Sequence, residues 1–368
     1  MNFKQAHLSD LPEFKVGHAQ NLDAATGCTV VLSVEGSTCS VDVRGGGPAT
    51  RETDLLKPEN MVEAIHAVVL SGGSAFGLEA ATGVMQELAN RKVGFELCGL
   101  RVPIVVGACL FDLPYGQPEH PTAKMGAEAC CSALDNSYKS KQPMEGNVGA
   151  GCGATVGKML DPQQATKSGL GIYGLRASIN EEEEEVVVVA IVAVNALGTV
   201  CTPEGTPLAG HVDENGALMD PLDPVLLSMT SSKDESTPSG EKEESISSDS
   251  SRNTQNFTTT SPCTNTTIGV VLTNAKLTKA QCQKVSSITH DAYARVIKPV
   301  HTSADGDTIF TMASGKQEAN FDLVAIMATE AMQHAILRAV TLATPACGLT
   351  AASKINPELC REILSSMN

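Results

Sequence analysis

The sequence predicts an α/β protein of layered sheets covered by helices on both sides, and three observations predict it. Val186 to Val194 form an unbroken apolar run, the stretch opening at Thr266 is apolar on both strand parities, and helices with one apolar stripe accompany these runs. A strand apolar on both faces must be covered on both, and amphipathic helices are the available cover. The chain has 368 residues, 42% of them apolar, enough to bury a substantial core.

Taken in order, "CTVVLSVEG" and "CSVDVRGGG" read as two strands joined by a glycine-containing turn. Met61 to Leu70 reads as a helix. In "SGGSAFGLEAATGVMQELANRK", Phe76, Ala80, Val84 and Leu88 recur every fourth residue, which places them on one helical face behind a glycine pair. A glutamate run, read as a solvated face, feeds the strand Val186 to Val194, which Asn195 closes. Residues 231–262 hold only Ile246 and Phe257 as sizeable apolar side chains. Burial there cannot offset ordering entropy, so a disordered insert is expected within a single domain spanning 1–368.

Beyond the insert, Thr266, Ile268, Val270 and Leu272 share one strand parity, and Thr267, Gly269, Val271 and Thr273 the other. Thr278 and Gln281 have the spacing of a capping box, opening a helix with Val285, Ile288, Ala292 and Val296 as its stripe. A last helix carries Leu323, Met327, Ala331 and Ala335 at spacing four.

A net charge of -16 and a pI near 4.9 argue against nucleic-acid or anionic-membrane partners, which reward lysine and arginine. The opening "MNFKQAHLSDLPEF" lacks the apolar core of a secretory signal, and no stretch approaches the roughly 20 apolar residues of a membrane span, so a cytoplasmic location is expected. The twelve cysteines are scattered without C-x-x-C spacing and read as reduced, mostly buried side chains.

Three stretches invite chemistry. "GNVGAGCGATVGK" looks like a phosphate loop, but Cys152 stands where that loop needs glycine, and Met159 where it needs Ser or Thr. What remains is a close-packing loop that delivers Lys158. "HTSADGDT" sets Asp305 and Asp307 around a glycine, either a plain turn or a carboxylate pair, and lacks the further oxygens of a calcium loop. Asn195, at a strand end, either caps a turn or donates to an oxyanion. A Cys109–His301 nucleophile pair is a remote reading, since nothing in the sequence brings the two together. Thr266 stands behind an asparagine at the head of a buried strand, as a strand opener or as a nucleophile that awaits release.

Together, "GNVGAGCGATVGK", "IVAVNALG", "TNTTIGVVLTNAKLT" and "HTSADGDTIF" resemble the signature blocks of the beta-peptidyl aminopeptidase and L-aminopeptidase/D-esterase family, which includes nylon-oligomer hydrolase. "RGGGPATRETDLL", "VVLSGGSAFGLEAATGV" and "VPIVVGACLFDLP" resemble its upstream blocks, so the likeness covers nearly the whole chain outside 231–262. The resemblance implies a four-layer alpha-beta-beta-alpha sandwich and an N-terminal-nucleophile hydrolase that cuts itself between Asn265 and Thr266, giving 1–265 and 266–368. It implies Thr266 as nucleophile and, through its freed amine, as base. Asn195 would face the oxyanion, Lys158 would supply positive charge, and Asp305 and Asp307 would orient the amine or lysine. Glu79 would hold a substrate amino group. Phe111 stands where the nylon-hydrolase pattern has tyrosine. No metal or organic cofactor is implied, and a homo-oligomer acting on small peptides, beta-peptides, amides or esters is expected. An ornithine acetyltransferase-like acyl transferase, with the same fold and self-cut, and a non-catalytic binding relative are the alternatives.

Overall fold

The computed structural model describes residues 3–135, 145–178, 184–231 and 265–367. Its centre is a ten-stranded sheet of β1 (Lys4–Ala6), β2 (Lys15–Asn21), β3 (Thr26–Val43), β4 (Ala49–Arg51), β5 (Ala64–Ser71), β6 (Val105–Cys109), β7 (Leu170–Ser178), β8 (Glu185–Asn195), β9 (Thr266–Ala275) and β10 (Thr308–Gln317). The strand order is β1-β7-β8-β9-β10-β3-β5-β6-β4, with β2 also paired to β3. The pairs β9–β10 and β5–β6 are parallel and the others antiparallel.

The sheet folds over on itself at β3. Its first half pairs with β2 and β5, and its second half, Thr38 to Val43, with β10. Val31, Val68, Leu70 and Val106 from one layer pack against Val189, Ile191, Ile268, Val270 and Phe310 from the other, forming the core between the two layers. The outer face of the first layer carries Val30, Leu32, Ala67 and Val69 against α1 (Glu79–Asn90) and α2 (Ala123–Asp135). That of the second carries Val188, Ala190, Val192 and Val271 against α4 (Lys279–Val296) and α5 (Phe321–Thr341). The result is a four-layer alpha-beta-beta-alpha sandwich. A short helix α3 (Asp223–Ser231) precedes β9, and α6 (Ala352–Ile355) and α7 (Pro357–Ser366) follow α5. The expected insert, 231–262, lies outside the described residues but for Ser231.

Several expectations hold. The run Val186–Val194 is the buried body of β8, and β9 begins at Thr266 with both parities buried. Thr278 and Gln281 make the reciprocal capping box of α4. Three readings are corrected. The supposed helix at Met61 to Leu70 is strand β5, with residues 65–71 fully buried. Its short apolar run "AIHAVVLS" suits helix or strand by periodicity, and a place inside the sheet between β3 and β6 decides for strand. The two strands proposed at 28–47 are one 18-residue strand whose glycine makes a bulge rather than a turn. Gly36 has φ +85, the register on β5 shifts between Leu32 and Ser37, and the Ser33 and Ser37 hydroxyls meet at 2.6 Å across the kink. Finally, Ala80, Val84 and Leu88 are buried on α1, but Phe76 precedes the helix in a 3-10 turn and is 67% exposed against His120.

By length and composition α5 could cross a membrane, the one such helix among the described residues, and 72% of its apolar window is buried inside the protein. Its apolar residues are used against β7, β8 and α4.

Candidate active site

The site gathers where β8 and β9 end side by side. Antiparallel register sets Asn195, the last residue of β8, opposite Thr266, the first of β9. One residue earlier, Asn265 makes a parallel bridge to Asp305 in the loop before β10. The 265–266 peptide is thus held from two sides, Asn265 by Asp305 and Thr266 by Asn195, and the two residues are 1% and 4% exposed. The Thr266 hydroxyl donates to the carbonyl oxygen of Asn265, and the N–H of Gly306 donates to the same oxygen at 3.1 Å. A hydroxyl lies against a carbonyl whose oxygen already has a backbone donor, as an acyl-transfer site requires.

The loop carrying Asp305, Gly306 and Asp307 is clasped by the "RGGG" stretch. The N–H of Arg44 donates to the carbonyl of Asp307, and that of Gly47 to Asp305. A Cβ on Gly45 would fall 2.4 Å from the Asp305 carbonyl oxygen, so backbone must pack on backbone there. At Gly306 a Cβ would stand 2.7 Å from Thr266 Oγ1 and 2.9 Å from the Gly47 carbonyl. Gly306→Ala is therefore expected to fold and to slow the self-cleavage that the resemblance implies by about 10²-fold, the scale of a displaced reacting group. Wild-type cleavage kinetics in a timed gel assay would refute this.

The glycine loop 146–158 delivers Lys158. The N–H groups of Gly157 and Lys158 donate to the carbonyls of Gly198 and Leu197, and Gly157, at φ +79, lies where a Cβ would strike the His211 nitrogen. Lys158 Nζ donates to Oδ1 of Asn195 at 2.8 Å and to its carbonyl at 3.0 Å. Burial lowers its ammonium to about 7, although Asp305 and Asp112 pull the other way. Asp305 moves oppositely, raised to about 6 by burial and then by Asp307. Lys158 thus has an accessible neutral form near neutrality.

Asn195 differs from expectation in detail. Its Oδ1 accepts from Lys158 and from the N–H of Thr155 at 3.0 Å, while Nδ2 donates to the Phe111 carbonyl at 2.9 Å. One amide hydrogen is thereby committed away from the Asn265 oxygen. Phe111 enters the site through its backbone. Asp305 accepts from the hydroxyl and N–H of Thr302, and Asp307 from the N–H of Thr267 at 2.8 Å and from His301. Neither carboxylate makes a hydrogen bond to Lys158 or Thr266 among those observed. Their loop orients the backbone around the nucleophile position, with Asp305 adding attraction for the Lys158 charge. Glu79 stands in the first turn of α1, where it accepts from the N–H of Ala123 at 3.0 Å and meets His120 at 3.1 Å. Those bonds, Ala123 first, hold its carboxyl below its usual value. Cys109 and His301 do not pair: Cys109 is buried at the end of β6 with its thiol pushed up by burial, and His301 turns to Asp307.

The sequence reading missed two residues. Lys167, 1% exposed, donates to the carbonyls of Gly151, Ala154 and Ser168 and so holds the turn of the glycine loop. Asp112, beside Phe111, accepts from Thr26 at 2.8 Å and from the N–H of Gly73 at 2.7 Å, tying three loops together. A lysine within the apolar "ATKSGLGIYG" was the available signal for the first.

The family model of peptidase family S58 matches residues 6–353. An uncharacterized aminopeptidase of Mycobacterium leprae is 38% identical over 326 residues, 85% of this chain and 79% of that protein. A 6-aminohexanoate-oligomer endohydrolase of Paenarthrobacter ureafaciens is 24% identical over 348 residues, 90% of this chain and 84% of that one. Among solved structures, the L-aminopeptidase D-Ala-esterase/amidase of Ochrobactrum anthropi, described as a variant of the N-terminal-nucleophile hydrolase fold, superposes with TM-score 0.63 at 16% identity, covering 100% of this chain and 96% of that one. With its family model matched over residues 6–353 and its four-layer sandwich superposing on that structure, the chain belongs to peptidase family S58.

Proposed function

We propose that Thr266 is the nucleophile, that the chain cuts itself between Asn265 and Thr266, and that the resulting pieces, 1–265 and 266–368, form one catalytic domain. The mature enzyme hydrolyses amide or ester bonds in small substrates with a free amino group, including peptides and beta-peptides. The observation that carries this reading is the Thr266 hydroxyl on the Asn265 carbonyl oxygen, with the Gly306 N–H donating to that oxygen.

In self-cleavage, Thr266 Oγ1 gives up its proton and bonds to the Asn265 carbonyl carbon, the oxygen gathering charge on the Gly306 N–H. The C–N bond breaks, Thr266 acquires a free amine, and Asn265 is left as an ester on Oγ1. Water then hydrolyses the ester to an Asn265 carboxylate. In turnover the freed α-amine, a group that ordinarily titrates at about 7.7–8.0, takes the hydroxyl proton. The substrate acyl group passes to Oγ1, the leaving amine takes the proton, and water releases the acid. These steps consume only water, so the proposal includes no cofactor.

Lys158 assists the first proton transfer, and Asn195 holds Lys158 in place. Asp305 and Asp307 fix the loop that presents Gly306, and Glu79 receives the substrate ammonium. Names such as aminopeptidase, 6-aminohexanoate-oligomer endohydrolase and aminopeptidase/esterase/amidase among the similar proteins support this substrate class. A cytoplasmic location is proposed because the cysteines among the described residues are free and mostly buried, which suits a reducing compartment. A homo-oligomer is proposed because the hairpin 95–102 exposes Phe95, Leu97, Leu100 and Val102.

Intact mass and amino-terminal sequencing test the cut. Two associated pieces are expected, the smaller beginning Thr-Thr-Ile-Gly. A piece beginning at Thr267 would move the nucleophile to the opposite strand face.

A further inference from the structure

His301 is one of few non-glycine residues with a left-handed backbone, at φ +56. Two bonds to a single oxygen accompany that conformation: its N–H donates to Asp307 Oδ2 at 3.2 Å, and its Nδ1 lies 2.8 Å from the same atom. Because a carboxylate oxygen accepts, Nδ1 carries the hydrogen. The other oxygen, Oδ1, accepts the N–H of Thr267, so the chain runs from the His301 ring through Asp307 to the peptide joining Thr266 and Thr267. Asp307 is 1% exposed, which keeps water from substituting for either partner.

The ring itself is fixed from behind. It meets His290 edge-on at 4.9 Å and stacks on Tyr293 at 5.9 Å, and His290 is anchored to the Asp42 carbonyl at 3.2 Å. Burial holds His290 down to about 3, so it stays uncharged and does not compete for Asp307. His301 Nε2, His290 Nδ1, Tyr293 Oη and Thr267 Oγ1 are all buried without a hydrogen-bond partner among the described residues. Such unsatisfied groups are costly in a buried setting, so their place behind the His301 ring calls for a reason.

We propose that His301 is a positioning residue: its Nδ1–H, acting through Asp307, fixes the peptide that follows Thr266 and thereby aims Thr266 Oγ1 at the carbonyl it attacks. This rests on Thr266 being the nucleophile. The effect applies to self-cleavage and to turnover alike, because the Thr267 N–H belongs to both the precursor and the cut chain. Without the ring, Asp307 is held by the two backbone N–H groups alone, and the shorter Nδ1–H bond at 2.8 Å narrows the freedom they leave to Oδ2. The geometric tolerance of acyl transfer makes this aim matter.

The test uses the full chain with His301→Gly and His301→Asn. Glycine accepts the left-handed backbone and removes only the ring. His301→Gly is expected to keep its melting temperature within a few degrees and to cut itself more slowly by roughly 10- to 100-fold, with kcat lowered similarly and KM unchanged. Added imidazole should restore part of the rate. Asparagine tolerates the same backbone and offers an amide hydrogen to Asp307, so His301→Asn should stay within about threefold of wild type. Wild-type rates in His301→Gly, or a loss that neither imidazole nor asparagine relieves, would overturn the proposal. Thr266→Ala run alongside separates the two readings. If it still cuts, the nucleophile is wrong; if it is inert while His301→Gly is normal, only the role of His301 fails.

Discussion

Thr266→Ala is expected to yield a continuous chain of 38.3 kDa that folds, remains uncut and hydrolyses nothing. The substitution removes the Thr266 hydroxyl that lies on the Asn265 carbonyl, and it leaves β9 in its register against β8 and β10. The lost atoms sit at a strand end, where the cavity cost is far below that of a core leucine. Thr266→Ser retains the hydroxyl and should cut itself, more slowly because serine samples more rotamers than a β-branched side chain. Thr267→Ala is the control. Its hydroxyl is buried without a partner on the opposite face, and its N–H to Asp307 survives the change, so cleavage should persist. Mass spectrometry of the purified variants reads all three. A cut and active Thr266→Ala protein would end the mechanism.

Lys158→Met should produce the second largest effect, with opposite signs for activity and stability. In the proposed self-cleavage Thr266 has as yet no free amine, so another group must take its proton, and Lys158 is lowered to about 7 by burial. Wild-type self-cleavage is therefore expected to rise with pH through about 7 as the neutral amine forms. In Lys158→Met it should be slower by about 10²- to 10³-fold and lack that rise. A charge-only role predicts the reverse, a wild-type rate that falls through the same window. Stability follows from linkage. The folded value lies below the unfolded 10.5, so between the two the unfolded chain binds more protons and stability rises with pH. The cost of burying this lysine is fully present below about 7 and fades toward 10.5. Lys158→Met, with similar length and no charge, should melt higher than an uncut reference such as Thr266→Ala at pH 6, by a margin that shrinks as pH rises. A lower melting temperature at pH 6 would contradict this.

Local chemistry made part of the molecule legible. Val186–Val194 could be read as a strand because an apolar run dominated by β-branched Val and Ile suits a buried strand, and Thr278 with Gln281 marks a helix start within four residues of chain. Met61 to Leu70 failed because a short apolar run carries no periodicity of its own, and the neighbours that settle its state, β3 and β6, lie elsewhere in sequence. Gly36 failed for a related reason: a bulge and a turn use the same residue, and only the partner strand separates them. At the site, the residue types at Thr266, Asn195 and Lys158 were visible, but their assembly came from resemblance alone. Their proximity depends on the register that sets Asn195 across from Thr266 and on a loop that reaches back from 146–158. The partners of Asp307 and Lys167 were invisible, since nothing near either residue in sequence names a carbonyl or a strand N–H as its destination.

The place of β9 and β10 within the sheet has a kinetic consequence. Both are interior strands, flanked by β8 on one side and β3 on the other, and both flanking strands lie upstream of Thr266. While the chain is continuous, refolding is first order, and dilution does not change its rate. Once the proposed cut breaks the 265–266 bond, the same sheet can be rebuilt only when two molecules meet, so its recovery becomes second order and fails at low concentration. Neither fragment can close the gap alone, because one is left with two open strand edges and the other with two strands that have nothing to sit between. The proposed self-cleavage thus turns an equilibrium fold into one preserved by its unfolding barrier, leaving the protein a single passage through assembly before that route closes behind it.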